Sequence, residues 1–278
     1  MAQRWFPFSR FHPGSVFEFQ VPTGTQWKIE DKLSQSQTQR ENADSRHPPS
    51  NPSSSAATTF RVQGLGRHGR VAYMRVILQI PHLETEYESP DIRRQQATLC
   101  HSGELEAYKK FHAQNAEMTP SLLAIKEEVQ KNDGFVPGGF VVFLVYEKVP
   151  GIRLAEDETC YPGLPLHTFF TKFDRAERDK TREKFNEVYP AFAEMDCYPF
   201  STWANHLVWD SSSAKLYFID FRGAHSIYEA LDDHPIRHNG KLITHVEKGV
   251  KPEDWEEWGL ALPPENLRER GRLSAWTL

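Results

Sequence analysis

Between Asp196 and His225 the chain reads DCYPFSTWANHLVWDSSSAKLYFIDFRGAH, and side chains able to do chemistry crowd together there. Two apolar segments, HLVW and LYFID, are joined by Asp210 to Ser213, residues that bend a chain by bonding to its backbone, so the pattern predicts a β-hairpin. Asp220 ends the second strand and Asn205 precedes the first. A hairpin brings them to its open end, where a carboxylate and an amide oxygen can hold a cation or a polar ligand. Asp196 is a further carboxylate close by in sequence. Cys197 and Ser201 offer nucleophilic atoms in the same loop, although a buried lone thiol is more often inert. His206 and His225 flank the hairpin without the spacing of a zinc site.

The elements that must position these residues follow from periodicity. Residues 1–24 hold Trp5, Phe6, Phe8, Phe11, Phe17 and Phe19 among Pro and Gly, which suggests an irregular arm packing its rings onto the body. Gln26 to Leu33 alternates as a strand. Ser34 to Thr59 is nearly all Ser, Gln, Asn, Pro, Arg and Asp, a composition that reads as a mobile loop because it has little to bury. TFRVQGL and RVAYMRVILQIP are strand-like and joined by the turn GRHG. Helical spacing runs from Ser89 to Phe111 through Ile92, Gln96, Leu99, Leu105 and Tyr108, with a break at Ser102-Gly103. A short strand is expected near Pro120 to Ile125. GFVVFLVY, Gly139 to Tyr146, is a continuous apolar run that belongs at the centre of a sheet. Asp174 to Glu194 is a charged amphipathic helix with Phe185, Val188, Tyr189 and Phe192 on its buried side. Two short helices are expected in the tail, near Glu253 to Trp258 and Pro264 to Arg270.

This order gives a two-lobe α+β plan. Residues 1–25 form the arm, 26–150 a first lobe with an insertion at 34–58, and 151–278 a second lobe with the tail. The chain of 278 residues is long enough to bury a substantial core, and its net charge of -5 disfavours a general nucleic-acid coat. The acids interleaved in KFDRAERDKTREK make that run a solvated helix face rather than a basic patch. Three widely spaced cysteines indicate neither a disulfide framework nor a CxxC site. The start lacks a signal-peptide core and no run approaches the ~20 apolar residues of a membrane span, so a cytoplasmic protein without membrane partners is expected.

The helix SGELEAYKKF, the strand FVVFLVYEKVPG and the segment NHLVWDSSSAKLYFIDFRGA together resemble the protein-kinase-like fold, in the form found in many fungal proteins, over roughly Trp27 to His225. The resemblance implies a small antiparallel-sheet N-lobe and a mostly helical C-lobe carrying the β-hairpin. It implies that Asn205 and Asp220 are the two metal ligands, for magnesium with ATP. It implies that Glu104 pairs with the phosphate-binding cation of the third strand, and that Glu147, Lys148 and Val149 present backbone groups to a planar ring.

The chain departs from that pattern where catalysis depends on it. The third-strand Lys position holds Arg75, which is not a conservative replacement. The base position, five residues before Asn205, holds Phe200, leaving Asp196 or Asp210 to take the role. Asp-Phe-Gly reads Asp220-Phe221-Arg222. GLGRHGRV, Gly64 to Val71, fits the glycine-loop pattern but stands where a hairpin turn belongs. Loss of a general base alone costs ~10²–10⁴-fold. The implied function is a kinase-like protein that has lost phosphotransfer and binds a ligand, a small molecule or a protein partner. One alternative is a biosynthetic enzyme with non-kinase chemistry, such as an arginine-containing cyclodipeptide synthase drawing on aminoacyl-tRNA. An acidic cleft of Asp196, Asp220 and Glu104 would suit its arginyl group. The other alternative is an atypical ATP-dependent small-molecule or protein kinase. If the chain is an enzyme, the expectation is a transferase.

Overall fold

The computed structural model describes residues 5–20, 24–41, 53–66, 69–100, 102–155, 168–199, 203–224, 237–238, 241–242, 252–264 and 266–278. The chain divides into two compact units, one of residues 1–101 with 122–148 and one of residues 102–121 with 149–278. No helix among the described residues is long and apolar enough to cross a membrane.

The first unit is built on six strands: β1 (Val16–Phe19), β2 (Thr25–Thr38), β3 (Ser55–Gly64), β4 (Val71–Gln79), β5 (Leu122–Val129) and β6 (Phe140–Glu147). They pair antiparallel in the order β1-β2-β3-β4-β6-β5. β1 also approaches β5, which curls the sheet toward a closed barrel. The uninterrupted apolar run of β6 is explained by its place between β4 and β5, where Phe140 to Val145 are all buried. Neighbouring strands then present matched apolar pairs, Phe60 with Met74 and Val76 with Phe143. The arm supplies the rest of this core. Trp5, Phe6 and Phe11 are buried in it, and Phe11 stacks at 5.7 Å on Phe17 and 5.9 Å on Phe60. Phe8 instead stands 61% exposed, and Phe17 and Phe19 belong to a strand that the irregular-arm reading missed.

The polar stretch read as a loop at 34–58 is largely a long hairpin. Ser34 to Thr38 of β2 pair with Ser55 to Thr59 of β3, and the Thr58 hydroxyl donates to the Ser34 carbonyl at 2.8 Å. Composition alone misleads here, because Ser, Thr and Gln fit an antiparallel strand that keeps one face wet while Ala56, Ala57 and Thr58 turn inward. Residues 42–52 lie outside the described residues. The register of β2 against β3 shifts twice, between Ile29 and Asp31 and between Lys32 and Ser34, and β1 pairs only with Thr25 to Lys28 of this long strand.

The helix expected from Ser89 to Phe111 is two. α1 (Pro90–Arg94) buries no residue, and Ile92 and Leu99, placed on its apolar face by spacing, are 43% and 78% exposed. α2 (Gly103–Ala113) belongs to the second unit and buries Leu105, Tyr108 and Phe111. A Cβ on Gly103 would stand 1.7 Å from the Ala224 carbonyl oxygen, so only glycine lets α2 begin where it does.

The second unit also holds β7 (Ile152–Arg153), α3 (Thr168–Lys172), α4 (Arg175–Glu194), β8 (Leu207–Asp210), β9 (Lys215–Phe218) and the short helix Pro252–Glu257. α4 starts on Asp174, whose carboxylate accepts from the Glu177 amide at 2.8 Å. Phe185, Tyr189 and Phe192 recur on one face of it and meet Phe218 and Trp258. Phe192 lies flat on Phe218 with centroids 4.0 Å apart.

The expected two-lobe protein-kinase-like fold is thus corrected. The chain is mostly sheet, with a nearly closed six-stranded antiparallel sheet in the first unit and few helices beside it. The second unit is not the expected helical lobe: among the described residues α4 is its one long helix, and the segment after it returns to strand, pairing in the order β7-β8-β9. The expectation extended one amphipathic helix into a lobe and gave the polar hairpin strands to a loop.

Candidate functional site

The hairpin is closed by Asp210, whose Oδ1 accepts from the Ser212 amide at 3.1 Å and hydroxyl at 2.7 Å and whose Oδ2 accepts from the Ser213 hydroxyl at 2.5 Å. These hydroxyls hold the Asp210 carboxyl below its usual range. Register runs from Asp210↔Lys215 to Leu207↔Phe218. It continues through the Ile219 amide, which donates to the His206 carbonyl at 2.8 Å, so that Asn205 comes opposite Asp220. Phe218 and Phe221 are both fully buried, Phe221 against Phe111 at 4.5 Å. Turning both inward across two intervening residues breaks the strand alternation, and Asp220 absorbs the break in the left-handed region at φ 63°. A non-glycine residue there is held by its surroundings.

What holds Asp220 is chiefly Arg222. Its Nε donates to Oδ1 and its Nη2 to Oδ2, each at 2.6 Å, a bidentate pair on a side chain only 14% exposed. Arg153 on β7 adds a longer contact, Nη2 to Oδ2 at 3.9 Å. Gly151 sets that strand in place, with φ 112° and a virtual Cβ 2.4 Å from the Trp209 carbonyl oxygen. Burial by itself would raise the Asp220 carboxyl, but the Arg222 hydrogen bonds and charge, with His206 and Arg153, outweigh it and hold the group below its usual range. His206 moves the other way. Burial pushes its imidazole down, Arg153 and Arg222 push it further, and Asp220 only partly offsets them. Two buried acceptors beside these charges, Asn205 Oδ1 and His206 Nδ1, have no hydrogen-bond partner among the described residues.

The hairpin therefore carries Asn205 and Asp220 to its open end, and both Asp220 oxygens already carry guanidinium N–H groups. A divalent cation would have to share these oxygens with Arg222 and sit beside its positive charge. Among the described residues no three metal-ligating side chains come together. Of the other residues picked from sequence, Asp196 follows α4 with φ 47°, and Glu104 is buried near the start of α2, both in the second unit. Val149 opens the second stretch of that unit. Arg75, Glu147 and Lys148 belong to the first unit, where Arg75 is 5% exposed and its Nη1 donates to the Thr59 hydroxyl at 3.0 Å. Phe200, Ser201 and His225 lie outside the described residues. Sequence reasoning missed Arg153 and His206 as members of the site. It noted Arg222 as a departure but not as a partner, although an Asp-x-Arg spacing across a turn is a legible sign of a local ion pair.

A concavity lies in the first unit, a cavity of ≈ 610 Å³ walled by Trp5, Phe11, Leu78, Phe135 and Val141 among others. Its buried polar wall is already satisfied, because Gln130 donates to the Gln79 and Phe140 carbonyls and accepts from the Val136 amide. The charged residues that also line it, Arg10, Glu128, Lys131 and Asp133, carry both signs, with Arg10 and Glu128 paired at 3.4 Å. No family model matches the chain, and no curated protein matches it.

Proposed function

We propose that this chain is a ligand-binding protein that does not carry out phosphotransfer, and that its binding site is the polar cluster around Asp220. One observation carries the reading. The carboxylate that metal-dependent phosphotransfer would need is clasped on both oxygens by the chain's own Arg222, while the amide opposite it is left without a partner. Phosphoryl transfer rests on positioned cations neutralising developing charge. A carboxylate already neutralised by a bidentate arginine is a poor ligand for such a cation, since the ion must share both oxygens with a guanidinium and meets its positive charge. Such a pair does serve to hold neighbouring groups at fixed places around a bound molecule.

Thermal unfolding followed during titration with magnesium chloride and ATP, together and separately, tests the reading. The expected result is no magnesium-dependent stabilisation beyond a sodium chloride control of equal ionic strength. A magnesium-dependent response to ATP that disappears in Asp220→Asn would overturn it.

A further inference from the structure

We propose that the Asp220 cluster binds an oxyanion directly, on the guanidinium of Arg153 and the amide of Asn205, with no divalent cation between protein and ligand. This rests on the reading of Asp220 and Arg222 as a closed pair. Once that pair is counted as neutral, the cluster has one guanidinium in excess. The Arg153 guanidinium makes no hydrogen bond to any described residue, and its one ionic contact among them is the 3.9 Å approach to Asp220. It is 41% exposed at the side chain, so its donors remain open to solvent and to a ligand.

Asn205 is the complementary half. It is 6% exposed, makes no hydrogen bond to any described residue, and its Oδ1 is buried without a partner. Burying an amide unpaired costs roughly 1–3 kcal/mol in proteins, so a group left this way marks a place where a partner belongs. A half-turn about χ2 exchanges its oxygen and nitrogen, so the amide can offer N–H groups to an anion or accept from a protonated oxyanion or a hydroxyl beside it. The turn Ala204–His206 lies against β7, so Asn205 and Arg153 belong to neighbouring segments, with Arg153 within ionic reach of Asp220. The neighbouring imidazole adds no negative charge, and His206 is held neutral by burial and by the two guanidinium groups. A planar fork and an amide suit a carboxylate or a phosphate ester equally, and the surplus positive charge selects against a cation.

The test is calorimetric titration of the full chain, in EDTA, with inorganic phosphate, acetate and citrate, against sodium chloride at matched ionic strength. Saturable binding of at least one oxyanion is expected, with at least a tenfold loss of affinity in Arg153→Ala and in Asn205→Asp and partial recovery in Arg153→Lys. Binding of phosphate alone assigns a phosphate ester, and binding of acetate or citrate a carboxylate. Heats no larger than the chloride control, or binding unchanged in Arg153→Ala, would overturn the proposal. If magnesium and ATP also give no response, the reading of the closed pair survives that failure. Oxyanion binding that requires magnesium overturns both.

Discussion

Replacing Arg222 by Ala isolates the contact on which the site depends. Two hydrogen bonds of 2.6 Å to a carboxylate only 14% exposed are lost together. A hydrogen bond to a charged group contributes about 1.5–3 kcal/mol net. Arg222 is itself 36% exposed, so solvent screening puts each bond at or below the lower end. Arg153 remains at 3.9 Å to take up part of the charge, and the expected loss is ~2 kcal/mol at neutral pH. The pH dependence sharpens the test. In the native chain the Asp220 carboxyl is held below its usual range, so its contribution is fully present above an unfolded pKa of about 3.9 and is lost as pH falls through the lower folded value. Without Arg222 that depression shrinks, so the variant loses less on acidification and the gap between the two proteins closes below about pH 4. Urea denaturation of both proteins between neutral and acid pH measures this. A gap below ~0.5 kcal/mol at pH 7, or one that does not narrow in acid, refutes the assignment of Arg222 as the counter-ion of Asp220.

Gly103→Ala forces a Cβ to 1.7 Å from the Ala224 carbonyl oxygen. It should destabilise the second unit by ~2 kcal/mol or more and broaden the NMR signals of residues 220–224, and wild-type stability would refute the close approach. Phe192→Ala removes the ring stacked at 4.0 Å on Phe218 and should cost ~3–5 kcal/mol in chemical denaturation; a loss under ~1 kcal/mol would show that this ring is not a core element. The lowered His206 pKa means that the unfolded chain takes up the proton first. Stability should therefore fall as pH drops below about 6.5, and His206→Gln should flatten that part of the profile. An NMR titration placing His206 above its ordinary pKa would contradict the burial argument.

Much of the local structure was legible because its cause is local. Asp210 with three serines announces a turn, and the residues that flank it, HLVW and LYFID, fix the hairpin. GFVVFLVY declares a central strand by having no polar face to expose. The failures come from tertiary context. Ser34 to Thr38 and Ser55 to Thr59 have too little apolar content to be read as strands alone, and they become strands by pairing with each other and by Ala56 and Ala57 turning into the core. Ile92 and Leu99 keep helical spacing but face solvent, so spacing gave a buried face where none exists. The chemistry at Asp220 escaped for a related reason. A carboxylate and an amide at a hairpin mouth suggest a metal until the guanidinium two residues away is seen to clasp the carboxylate, and Arg153 is brought there from more than fifty positions earlier by β7.

The two register shifts in β2 bear on how the molecule behaves in company. β1 shields only the first part of this strand, and beyond Lys28 no other strand among the described residues pairs with its outer flank. A long, flat ladder left open would invite lateral growth by another chain. The bulges at Ile29/Asp31 and Lys32/Ser34 break the even spacing of its amides, and Glu30, Asp31 and Lys32 place charge where an added strand would have to lie. The hairpin can thus be long and polar without becoming a template for aggregation, its irregularity standing guard over its own edge.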